Sequence, residues 1–126
     1  MKLENQLCSI KQAEELKQLG VLQESLYYWP HSDKWGIMPK SSIEFKDGVT
    51  GATSMFNCAE LMSMIQNTYG IQYLPTLKLK YYYQPPQSNE HIYFDTLSKA
   101  VAAKLIYYIK NGWVSVTVIN ERLKNG

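Results

Sequence analysis

Apolar positions along the chain change period several times, and each change marks an element. Ile10, Ala13, Leu16 and Leu19 recur at three-residue spacing, which draws one apolar stripe along a helix. Ser9 precedes them and Gln12 follows three positions later, the arrangement of a capping box. Gly20 stands where a helix can end in a left-handed residue, and Val21 can then cover that end. Leu26, Tyr27, Tyr28 and Trp29 form one aromatic-rich run, and Trp35, Gly36, Ile37 and Met38 form another. The five polar residues between them open with Pro30, which predicts a β-hairpin. Pro39 ends its second strand. Residues 40–54 hold Asp47-Gly48 and Gly51 and keep no period. They predict a loop, or a loop with one short strand at 43–45.

The second helix has the clearest local signal. Asn57 can cap it, Glu60 completes the capping box, and Phe56 before the cap can touch Leu61 as a hydrophobic staple. Leu61, Met64, Ile65 and Tyr69 make its apolar face, and Gly70 ends it. Residues 76–83 then alternate. Leu77, Leu79, Tyr81 and Tyr83 point one way, and Lys78, Lys80 and Tyr82 the other, as in a half-buried strand. Pro85 and Pro86 open a turn, and 91–94 is its partner strand. A third helix, capped by Asp95 or Thr96, runs to Lys110. It is apolar almost all round, so it must be central or covered on two sides. Asn111-Gly112 ends it. Residues 114–119 have the β-branched run of a strand. Ser115 could instead cap a helix on which Val116, Ile119 and Leu123 align. The helix is the favoured reading, because 120–125 has no strand pattern.

Two hairpins forming a small antiparallel sheet under three to four helices give an α+β domain. The 126 residues suit one domain, 1–126, large enough to bury a core without a metal or disulfide staple. Net charge is only +2, from 13 basic and 11 acidic side chains, so bulk charge does not predict nucleic-acid binding. The two cysteines, Cys8 and Cys58, lack CxxC spacing and a nearby His, and they read as reduced, small apolar residues. The first six residues hold no signal-peptide core. The apolar stretch from Ala100 to Ile109 is broken by Lys104 and is too short for a bilayer. These features predict a cytoplasmic protein with no membrane partner.

Three stretches resemble a group of small uncharacterised bacterial proteins found in prophage and mobile-element settings. The first is Cys8-Ser9-Ile10-Lys11-Gln12-Ala13-Glu14-Glu15-Leu16-Lys17-Gln18-Leu19-Gly20-Val21, continuing into Gln23-Glu24-Ser25-Leu26-Tyr27-Tyr28-Trp29. The second is Thr53-Ser54-Met55-Phe56 with Ala59-Glu60-Leu61. The third is Ala102-Ala103-Lys104-Leu105-Ile106-Tyr107-Tyr108-Ile109, with Asn111-Gly112 and Asn120-Glu121-Arg122-Leu123. The resemblance implies a bacterial or phage cytoplasmic protein and a helical last segment, and it brings no activity or functional residue with it. The chain departs from the pattern after Gly112, where Val116-Thr117-Val118 replaces a charged helical start.

The candidate chemistry is sparse. His31 and His91 have no ligand partner at metal spacing. There is no GxSxG elbow and no phosphate-binding glycine motif. Glu60 and Asp95 already have capping roles, so no carboxylate pair stands out. The expectation is therefore no catalytic residue, no metal and no cofactor. Two binding faces remain. One is basic and aromatic: Lys78, Lys80 and Tyr82 share a strand face that Tyr28 and Trp35 could extend, a pattern that meets phosphates and stacks bases. The other is the end of the third helix, where Tyr107 or Tyr108 with Trp113 would suit a protein partner or a homo-oligomer if left partly exposed, although full burial under the last helix is the favoured reading. A non-enzymatic interaction module is the leading expectation, and a nucleic-acid-binding accessory protein is the alternative.

Overall fold

Three of the expected helices begin at a side chain that satisfies one of their first free N–H groups. The computed structural model describes residues 3–30, 36–39, 52–65, 71–73, 81–83 and 92–125. A 3-10 turn, Leu3–Gln6, leads to α1 (Ile10–Gln18), β1 (Tyr27–Trp29), β2 (Met38–Pro39), β3 (Thr53–Ser54) and α2 (Cys58–Ile65). Then come β4 (Ile71–Tyr73), β5 (Tyr81–Tyr83), β6 (Ile92–Phe94), α3 (Leu97–Lys110) and α4 (Val116–Asn125). The fold is α+β, with four α-helices and antiparallel strands among the described residues.

The capping boxes form as the sequence predicts. Ser9 Oγ accepts from the N–H of Gln12 at 3.1 Å, and Gln12 Oε1 accepts from the N–H of Ser9 at 3.0 Å. Asn57 and Glu60 do the same at α2, at 2.8 and 2.9 Å. At α3 the cap is Thr96, whose Oγ1 accepts from the N–H of Lys99. Asp95 does not cap. Its carboxylate pairs instead with Lys99 at 3.1 Å, one turn into the helix. The last segment is helical. The N–H of Ile119 donates to the carbonyl of Ser115, and the β-branched run is overruled by burial of Ile119 on one helical face.

The hairpins close as antiparallel pairs, Tyr28 opposite Met38 and Tyr82 opposite Tyr93. Each recruits a third strand from a segment with little period. β3 joins β1 with Tyr28 opposite Ser54, and β4 joins β5 with Gln72 opposite Tyr82. The described strands thus form two sheets, ordered β2-β1-β3 and β4-β5-β6. β3 lies at the end of the expected loop. The short strand considered at 43–45, the tail of α2 at 66–70 and the first part of the strand at 76–80 lie outside the described residues.

One core joins these parts. Leu7, Leu16, Phe56, Leu61, Met64, Val101, Leu105 and Ile119 are fully buried within it. α3 is central, as its all-round apolarity requires. It packs on α1, α2, β5, β6 and the 3-10 turn. Ala100 and Ala102 present almost no side-chain bulk, which lets neighbouring elements approach closely. Ile10 departs from the expected stripe. It is an exposed end residue of α1, and Ala13 and Leu16 carry that helix's contact.

α4 is held by polar atoms as well as by Ile119. Asn120 accepts from the N–H of Leu22 at 2.7 Å and donates to the carbonyl of Gly20 at 3.1 Å. Arg122 donates to the carbonyl of Met64 at 2.7 Å. Gly20 adopts φ +96°, and the N–H groups of Gly20 and Val21 reach back to Lys17 and Leu16. That closes α1 in a Schellman motif. The asparagine therefore reads a carbonyl that only this left-handed cap presents.

Two substitutions test this packing. Leu105→Ala should lower unfolding free energy in urea by about 2–5 kcal/mol, because the cavity would lie on the central helix. A loss under about 1 kcal/mol would mean that α3 is peripheral. Asn120→Ala should cost about 1–2 kcal/mol, since it removes the acceptor of the partly buried Leu22 N–H and an exposed bond to Gly20. A wild-type urea midpoint would dismiss the asparagine as an anchor.

Candidate functional site

The aromatic corner at the end of α3 is built by a helix terminus. Gly112 adopts φ +73°, a left-handed conformation that glycine takes without a Cβ penalty. The N–H of Gly112 donates to the carbonyl of Ile109 at 3.0 Å, and that of Trp113 donates to Tyr108 at 2.9 Å. This is a second Schellman motif, and it places Trp113 back over the last turn. The Trp113 ring meets Tyr108 edge-on at 5.3 Å between centroids and Tyr107 at 5.7 Å. Such perpendicular pairs match a ring edge to a ring face. Trp113 is nonetheless 50% exposed, and both tyrosines are half-buried. α4 leaves the ring uncovered.

Beneath the corner lies a charge. Lys104 is fully buried on α3, and its Nζ stands 5.2 Å from the centre of the Tyr108 ring. Burial pushes the Lys104 ammonium below the usual lysine pKa. The negative face of the tyrosine ring is the kind of partner that favours its charged form. At the helix end, Lys110 pairs with Glu15 of α1 at 3.0 Å.

A second feature is a cleft of about 670 Å³. Its wall comes from the 3-10 turn, the first turns of α2 and α3, and Tyr81 of β5. The antiparallel bridge between Leu7 and Asn57 brings the first two together. Ser98 Oγ donates to the carbonyl of Gln6 at 2.8 Å, which ties the third to them. Cys58 lines this cleft, half-buried, beside Ser98. Burial raises its pKa, and the Ser98 contact opposes that shift. A thiol at a helix start is normally acidified. Here burial works against that acidification. Among the described residues no group of three or more His, Cys, Asp or Glu side chains could hold a metal ion.

The sequence-derived site residues fall unevenly. Tyr107 and Trp113 come together at the corner. Tyr28 does not belong to any surface. It is 8% exposed, and its hydroxyl donates to the carbonyl of Gln23 and accepts from the N–H of Ser25. The ring closes the loop before β1 instead of facing a ligand. Tyr82 is in β5, in a different sheet from Tyr28, so the proposed continuous face does not extend from one hairpin to the other. Trp35, Lys78, Lys80, His31 and His91 lie outside the described residues. Sequence reasoning missed the cleft, because no spacing reveals that two helix starts 39 positions apart, Cys58 and Leu97, share one wall. It also missed that Lys104 is interior.

No family model, no curated protein and no solved structure matches the chain. No described helix is long and apolar enough to cross a membrane.

The cysteines make a pH-dependent prediction. Burial pushes the Cys8 thiol up to about 11 from 9.0. Below pH 9.0 the thiol is neutral in both states, and above it the unfolded chain ionises first. Stability is therefore lost between pH 9.0 and about 11, by about 3 kcal/mol at most from this group. Lys104 acts with the opposite sign over the window below 10.5, so the thiol must be read by difference. Urea unfolding from pH 8 to 11 should show a flatter curve for Cys8→Ala than for the wild type. Parallel curves would rule out a thiol kept neutral by the core.

Proposed function

We propose that this protein is a non-enzymatic interaction module of phage or mobile-element origin, working in the cytoplasm and docking a protein partner on the aromatic corner of α3. The observation that supports it is Trp113, half-exposed yet fixed by its cap and by two tyrosine edges. A large ring already immobilised loses little entropy on binding, which is why tryptophan and tyrosine dominate interface anchors. The surrounding chemistry agrees with a binding role. Burial pushes the pKa of the thiol beside the cleft up, and the carboxylates of Glu60 and Asp95 are taken up in capping and ion pairing. The origin rests on the sequence resemblance alone. The alternative, a nucleic-acid-binding accessory protein, rests on the alternation of Lys78, Lys80 and Tyr82.

A second copy of the chain is the first partner to test. Light scattering behind size exclusion should give a mass above that of one chain, rising with concentration. Trp113→Ala should return it to one chain with its urea midpoint shifted by less than about 1 kcal/mol in free energy, because half of the ring is already in water. A single-chain mass at every concentration would remove self-association. Salt-sensitive binding of a labelled single-stranded DNA in an anisotropy titration, unaffected by Trp113→Ala, would favour the alternative instead.

A further inference from the structure

We draw no further inference here: the strongest candidate, the cleft of about 670 Å³ walled by the first turns of α2 and α3, offers only a lone thiol and two helix starts whose capping side chains bond their own backbones, and the buried hydroxyl left without a partner, Ser54 Oγ, is not part of its wall.

Discussion

Burial of α3 on several sides is the constraint that organises the molecule. Val101, Leu105 and Ile106 supply apolar area, while Ala100 and Ala102 keep the helix thin enough for α1, α2 and the second sheet to meet it. Area removed from water stabilises in proportion to its extent, and no other described element shares contacts with so many neighbours. The short strands, two or three residues each, would be marginal as isolated hairpins. β5 and β6 gain their support by lying on α3, and the first sheet reaches the core through β3 and α1.

Polar groups then fix how the layers are aligned. Apolar packing alone tolerates rotation and sliding, whereas a hydrogen bond to a particular carbonyl does not. Gln12 donates from α1 to the carbonyl of Lys99 at 2.9 Å, Ser98 ties α3 to the 3-10 turn, and Glu60 accepts from the N–H of Leu26 at 3.2 Å. Glu60 thereby serves two segments, its own helix start and the approach to β1. Burial raises its pKa, and those two backbone donors oppose the rise.

The aromatic corner comes from the way α3 ends. An apolar residue after the glycine of a Schellman motif often covers the last turn, and a smaller side chain than Trp113 would do so. Half of the larger ring is therefore left in water. Lys104 below it is the costly feature. A buried cation is stabilising only when its contacts repay desolvation, and the Tyr108 ring provides one of them.

Much of this was legible along the chain because it is set by neighbours within four residues. Ser9 with Gln12, Asn57 with Glu60, and Gly20 and Gly112 after apolar runs define where helices start and stop, since a helix satisfies its terminal groups locally. The near-continuous apolarity of 97–109 likewise demanded a central place for α3. The sequence favours burial of Trp113 under the last helix, and the structure instead leaves half of the ring in water. What the tertiary structure decided depends on partners distant in sequence. β3 and β4 are too short to be read as strands from propensity alone, and β1 and β5 offer the edges they pair with. Tyr28 is interior because the carbonyl of Gln23 folds onto its hydroxyl. The 116–118 run is helical because one face of α4 buries Ile119 against the core while Asn120 finds the cap of α1. A sequence records which groups need partners, and only the packed chain assigns each one.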